Sequence, residues 1–548
     1  MSDVKPIDPA APGPELEASP NTDEKRVHGG EEDDSGDVGK EHTTKNDSEW
    51  LHEFRENEGY IIEVDSESGN AAATGVKLAK DGHTRLIPQP SDDPSDPLNW
   101  SWNKKHLTLF IVSLCGFLPD YGSAVGAVTL LPQAVEWNMT PDEVNHSQAG
   151  NVFMIGAGGV FAVAFSAWIG RLPVAFWWVL LSTATAAWCA GAVTFESFMA
   201  ARILNGFFAA VMQAGGLITI QDIFFFHERA RKINIWASFF IMSPYLGPLL
   251  AAFMIETQRW PVPFWVFFAI NVLALALIVF FLSETYYNRG IPANEQEPHG
   301  NRISQLTGAA VIMGKRRPIN SFGQAWWRTA SVLLKPAVVL ACFSYILFFA
   351  FAVGINTTLA IFVTPLYGFG PRQVGFFYFT PIVATALGEI MGHWLHDALA
   401  RRYIRKHKGH FEPEVRLQAT FLSTPFIIVG LVLIGQCLEN GWHYMATAVS
   451  WGLYVFGLMI TTVALSSYVL DSYPEASGEV SAWLNASRTI GGFIISYFQV
   501  TWAENQGTKV SFGIQGAICG VSFLFILVLL KWGKQMRVWA GPLNFATT

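Results

Sequence analysis

Four ionisable side chains stand inside apolar stretches of this 548-residue chain: Asp120, Arg202, Glu389 and Arg488. A charge in hydrocarbon is costly unless it meets a partner, backbone carbonyls or a watery path, so such residues mark routes for ions or substrates. Asp120 lies about 16 residues into its apolar run, roughly 24 Å along a helix that rises about 1.5 Å per residue. Arg202 lies about 4 residues into a run entered from the opposite side, at a similar height. Equal heights predict neighbours, with Arg202 holding Asp120 ionised until a proton or a cationic substrate competes. The alternative has Asp120 facing a hydrated outer vestibule and Arg202 capping backbone carbonyls. Glu389, followed by His393, His396 and Asp397, forms a second titratable group near the inner end of its run. Arg488 would neutralise Glu389 or serve in packing. His393 and His396 have no third ligand nearby, so they read as interfacial polar residues and no metal is expected.

These residues need elements that cross a bilayer. Hydrophobic residues make up 51% of the chain and charged ones only 15%, too apolar for a soluble protein of this size. Apolar runs of membrane-crossing length are expected at about 106–131, 147–168, 174–195, 198–221, 233–255, 262–283, 336–363, 373–396, 415–437, 443–469, 480–502 and 511–531. The fold class is therefore all-α and polytopic, with twelve helices in two six-helix halves. Residues 99–283 form one half and 336–531 the other; residues 284–335 are a central cytosolic loop and 532–548 a cytosolic tail. The net charge of −8 hides an asymmetry, since residues 1–98 carry 9 Lys+Arg against 24 Asp+Glu. That stretch is acidic and rich in Gly, Ser and Pro, which predicts a disordered cytosolic tail. Of the Lys and Arg in the connecting segments, 22 fall on the side of the N-terminus and only Arg259, Arg372 and Lys509 on the other. Positive charge collects in the cytosol, so both termini are expected there, in a plasma-membrane protein.

Other features bound the function. Ser243-Pro244-Tyr245-Leu246-Gly247-Pro248 places two prolines inside one apolar run, which predicts a bent helix facing a protein interior. The five cysteines have neither metal nor disulfide spacing and read as small apolar residues. Asn138 and Asn145 are the sequons expected in an outer loop, as glycosylation sites. No Gly-x-x-x-x-Gly-Lys-Ser/Thr loop occurs, so ATP drive is not expected, and no nucleophile–base pair marks an enzyme. Neither a cofactor nor a nucleic-acid partner is expected; the partners are the lipid bilayer, protons and a small-molecule substrate, met by a monomer.

Several short motifs then come in a fixed order along the topology. They are Asp96-Pro97-Leu98-Asn99-Trp100, Arg202-Ile203-Leu204-Asn205-Gly206, Asp222-Ile223-Phe224-Phe225 with His227-Glu228-Arg229, and Ser243 to Pro248. Glu284-Thr285-Tyr286, Glu412-Pro413-Glu414 with Arg416-Leu417, and Asn485 with Arg488 and Gly491-Gly492-Phe493 follow. Together these make residues 96–540 resemble the major facilitator superfamily, and more closely its fungal twelve-span drug:proton antiporter branch. The resemblance implies a role for Arg202 in or near proton coupling. It also implies a gating role for Ser243, Pro244, Gly247 and Pro248, where Ser243 replaces the first Gly of the antiporter signature. It implies a central cavity lined from the seventh and tenth spans, where Tyr345, Asn356, Thr357, Trp451 and Tyr454 lie. The family's loop after the second span normally carries an acidic residue and two arginines; here only Arg171 remains, beside Leu172. Its counterpart after the eighth span, Asp397 with Arg401 and Arg402, is intact. The expected function is proton-coupled export of small organic compounds by alternating access. Uptake of an organic cation such as a polyamine, or a non-transporting sensor of the same fold, are the alternatives.

Overall fold

The computed structural model describes Lys77 and residues 86–287, 301–314, 320–406, 412–541 and 543. Most of the expected acidic tail lies outside the described residues, as do Lys315-Arg316-Arg317 and Lys408. Twelve long helices carry the fold: α1 Trp102–Trp137, α2 Pro141–Ile169, α3 Arg171–Gly191, α4 Phe195–Ile223, α5 Phe226–Ile255 and α6 Pro261–Phe281. They continue as α7 Pro336–Tyr367, α8 Phe379–Lys406, α9 Thr420–Glu439, α10 Tyr444–Ser472, α11 Ser477–Gln506 and α12 Thr508–Ala540. Short helices precede α8 at Pro371–Phe377 and α9 at Pro413–Ala419, and Phe322–Ser331 is a helix of the central loop. The stretch from residue 532, expected as a tail, continues α12 as far as Ala540.

Local chemistry sets the boundaries. Ser101 caps α1 through a bond from the Lys104 N–H, and Thr140 with Glu143 forms a reciprocal capping box at α2. Asn138 ends α1 in the left-handed conformation at φ 53°. Gly170 separates α2 from α3 at φ 115°, a conformation that L side chains rarely adopt.

Eleven of these segments are long and apolar enough to cross a membrane. The remaining helix, α11, has the length but carries Glu479, Asn485, Arg488, Thr489, Ser496 and Gln499, all of them buried. Its polarity faces protein, not lipid. Packing repeats between the halves: α1 lies against α5, α2 against α4 and α3 against α6, while α7 lies against α11, α8 against α10 and α9 against α12. The halves meet along α2 with α11, α5 with α8 and α1 with α7. The face on which α1 begins and α12 ends is called the inner face, as the charge distribution leads us to expect.

Candidate functional site

Asp120 is held by Arg488, not by Arg202. Arg488 Nη1 donates to Asp120 Oδ2 at 2.7 Å and Nη2 to Oδ1 at 3.2 Å, a two-point ion pair that joins α1 to α11 across the halves. Both residues are only 7% exposed. Gln213 Nε2 of α4 adds a third bond to Oδ2 at 2.7 Å, and Asn485 Oδ1 accepts from Arg488 Nη2 at 2.9 Å. The guanidinium also stands 5.4 Å from the centre of the Phe349 ring, a cation–π contact. A buried pair persists only with such supporting bonds, because each ion has lost its water.

Arg202 does what the alternative reading described. Its Nη1 and Nη2 each donate at 2.9 Å, to the Gly122 and Ser123 carbonyls of α1. Its guanidinium lies between the Phe198 and Phe264 rings, at 5.7 and 5.5 Å. It therefore anchors the α1 backbone within a turn of Asp120. Gly126 makes room for it, since a Cβ there would stand 2.7 Å from both Arg202 Nη2 and Gln148 Oε1. The outer-vestibule half of that reading fails, because Asp120 is buried.

Glu389 does not meet Arg488 either. Its Oε2 is 3.2 Å from His393 Nε2, and its Oε1 is buried with no hydrogen-bond partner among the described residues. Among those residues, no group of three or more His, Cys, Asp or Glu is placed to hold a metal.

The prolines of α5 do not break it; they make acceptors. Pro244 leaves the Phe240 carbonyl without its helical donor, and Ser243 Oγ supplies one at 2.7 Å. Pro248 leaves the Pro244 carbonyl free in the same way, and Asn356 Nδ2 of α7 donates to it at 3.1 Å across the halves. Gly247 lets α1 come close, since a Cβ there would stand 2.8 Å from the Tyr121 carbonyl. α5 runs on as one helix through both prolines, with its freed carbonyls bonded by side chains.

A central cavity of about 40 Å³ is lined by Asp120, Arg488, Tyr245, Gln148, Asn356 and Thr357, among others. Tyr345, Trp451 and Tyr454 are absent from its wall. Trp451 packs against Tyr245, Phe377 and Tyr378, and Tyr454 donates its hydroxyl to the Phe348 carbonyl, so both belong to the core. A second cavity of about 420 Å³ lies at the outer ends of α1, α5 and α7, bordered by Glu136, Arg259, Trp260 and Thr364.

The inner face is tied in each half. Arg171 pairs with Asp222 at the end of α4, and Glu284 accepts the Arg171 and Leu172 N–H groups at 3.1 Å each, capping α3. Arg171 thus keeps an acidic partner despite the altered loop. In the second half Asp397 is met by Arg416 at 3.3 Å, which also bonds Asp471 at 2.6 Å, while Arg401 is exposed. Between the halves, Ser477 Oγ donates to Gln221 Oε1 at 2.5 Å, and Arg328 of the central loop pairs with Glu479 at 3.2 Å. On the outer side Asn145 Nδ2 donates to the Ser496 carbonyl at 2.8 Å. Asn145 is 1% exposed, so this sequon is sealed and does not present a glycosylation site, whereas Asn138 is exposed.

Sequence reasoning missed Gln213 and Gln148, and it met Asn485 and Tyr245 only as members of motifs, without a role at the site. Their signal was polarity inside apolar runs, the same signal that marked Asp120.

Solved structures share this architecture at low identity. The partially occluded inward-open xylose transporter XylE of E. coli matches with a TM-score of 0.57 at 15% identity, over 78% of this chain and 98% of that one. The human organic anion transporter MFSD10 matches at 0.51 and 16%, over 77% and 99%. Among curated sequences, an uncharacterized MFS-type transporter of Schizosaccharomyces pombe is 24% identical over 89% of this chain and 94% of its own length. Efflux pump radE of Floropilus chiversii is 23% identical over 81% and 83%. The family model described as Major Facilitator Superfamily matches residues 109–496. With that match, the repeated six-helix packing and the buried charges between the halves, the chain belongs to the Major Facilitator Superfamily.

Proposed function

We propose that this transporter exports small amphipathic organic compounds in exchange for protons, and that the Asp120–Arg488 pair is the tie a proton releases. The observation that carries the reading is a two-point ion pair, 7% exposed at each end, joining the two halves beside the central cavity. Protonating Asp120 removes the charge that Arg488 was buried against, and the halves are then freer to rock about the site. A cavity of about 40 Å³ is far below the roughly 300–1,000 Å³ of small-molecule sites, so a substrate enters only when the halves part. The wall sets Tyr245, Phe349 and aliphatic residues beside polar ones, which suits an amphipathic compound with an aromatic part. The efflux pump among the relatives favours export. Uptake of a cation draws less support, because Arg488 already neutralises the acid that was to attract it.

Cells expressing the full chain are compared with cells lacking it across a panel of aromatic and amphipathic toxins. Export predicts raised resistance, lost on collapse of the pH gradient and lost in Asp120→Asn. Unchanged resistance, greater sensitivity, or export that persists without a gradient refutes the reading.

A further inference from the structure

Glu389, His393 and His396 of α8 form an ordered chain of hydrogen bonds with Arg416. Arg416 Nη1 lies 2.6 Å from His396 Nδ1, His396 Nε2 lies 3.4 Å from His393 Nδ1, and His393 Nε2 lies 3.2 Å from Glu389 Oε2. The arginine fixes the direction of every bond. A guanidinium only donates, so His396 Nδ1 accepts and its proton sits on Nε2. That N–H donates to His393 Nδ1, which places the His393 proton on Nε2, aimed at the Glu389 carboxylate. Both nitrogens of both rings are occupied. The remaining Glu389 oxygen, Oε1, is buried and without a hydrogen-bond partner among the described residues.

Other titratable groups frame this chain. Tyr345 of α7 lies within electrostatic reach of Glu389, Asp120 and Arg488 alike. Tyr245 of α5 reaches α8 at Thr385, one turn before Glu389. At the inner end, Asp397 of α8 and Asp471 of α10 both hold Arg416, and the exposed Arg401 and Arg402 follow.

We propose that Glu389, His393 and His396 form a proton path from the membrane interior to the inner face, and that Arg416 is the plug at its inner end. A proton enters by binding His396 Nδ1. His396 then passes its Nε2 proton to His393 Nδ1, and His393 passes its own Nε2 proton to Glu389, so one proton is taken up and one carboxylate is neutralised. Release runs the same transfers backwards. While Arg416 occupies His396 Nδ1, neither direction is open. Moving Arg416 off His396 loosens the bonds it makes at the same time to Asp397 and Asp471 and opens the path, so proton exchange at Glu389 is tied to loosening of the inner face. This rests on the proton-coupled reading above but assigns the route and its gate.

The test needs no substrate. The full-length chain in nanodiscs is jumped from alkaline to acidic buffer, and the protonated-carboxyl stretch is followed by rapid infrared spectroscopy, with Glu389→Gln identifying the Glu389 band. Arg416→Gln is expected to speed protonation of Glu389 about tenfold or more, the rate equivalent of losing one charge-assisted hydrogen bond. His396→Gln in the native background, and in the Arg416→Gln background, is expected to slow it while leaving the final band height in place, a kinetic change that a purely packing role would not give. Should Arg416→Gln misfold, His396→Gln alone decides. Unaltered rates in Arg416→Gln or His396→Gln overturn the proposal. Loss of gradient-driven export in the toxin assay, with these kinetics intact, removes the coupled-export reading and leaves the path standing.

Discussion

Replacing Asp120 with Asn removes one charge of a pair that is 7% exposed at both ends. Arg488 then keeps a single amide-oxygen acceptor at position 120, together with Asn485 Oδ1 at 2.9 Å and the Phe349 ring at 5.4 Å. The new amide also presents a donor where Gln213 Nε2 and Arg488 Nη1 both donate to Oδ2, though a flip of the Gln213 amide relieves one clash, since its Oε1 has no partner among the described residues. Removing one member of a buried pair costs about 3–5 kcal/mol. Because the pair spans the halves, that cost falls on conformations in which α1 and α11 are joined. At about 1.4 kcal/mol per factor of ten, the balance between closed and parted halves moves by roughly two to three and a half powers of ten. Single cysteines at Ser477 and Ser496, buried at the inner and outer contacts, report the parting by alkylation rate; the five native cysteines are all buried and give a low background. Asp120→Asn is expected to raise alkylation at one of these positions by that order, and Arg488→Gln in the same chain to restore part of the closure. Equal rates in the variant and the native chain refute the reasoning. So does a double variant whose effect is the sum of the two single ones, because the pair would then carry no coupling.

Three further outcomes are expected. Gly126→Ala places a methyl 2.7 Å from Arg202 Nη2 and Gln148 Oε1; it should lower stability by about 1–3 kcal/mol in a detergent melt, and an unchanged melt would show that Arg202 has room to yield. The hydrogen bond from Lys534 holds the Glu412 carboxyl below its ordinary value; its contribution to stability is then present above the unfolded carboxylate pKa and lost as pH falls through the lower folded one. With Lys534 66% exposed the effect is below about 1 kcal/mol, and Glu412→Gln should flatten the acid limb of a stability–pH curve by that amount. Glycosidase treatment should shift the expressed chain on a gel, Asn138→Gln should abolish the shift, and Asn145→Gln should not.

The helices were legible in the sequence because membrane-crossing length and apolarity leave a strong pattern, and the polar marks along them located Asp120, Arg202, Glu389 and Arg488. Their partners were not legible. Position along a helix gives height, and height alone matched Asp120 with Arg202. Which way each side chain points around its helix decides the contact, and that depends on the packing of α1 against α4, α5 and α11 together. The answers to the α5 prolines were hidden in the same manner. A missing N–H leaves a carbonyl free when read along one chain, and only the fold brings Ser243 and Asn356 to where they satisfy the freed carbonyls. The latch at Arg171 failed as a pattern because its acid comes from Asp222, some fifty residues away in sequence and adjacent in space.

The polarity of α11 also bears on how the protein is made. A segment with a buried Arg, Asn and Gln is a poor candidate to enter lipid by itself, since each of those groups is costly there until it is answered. Arg488 is answered by Asp120 of α1, a helix synthesised long before it, and Ser496 is met at its carbonyl by Asn145 of α2 and at its hydroxyl by Thr357 of α7. A C-terminal half made without the N-terminal one would hold Arg488 without the Asp120 carboxylate, so the ion pair that joins the halves in the finished transporter is a contact the second half lacks by itself.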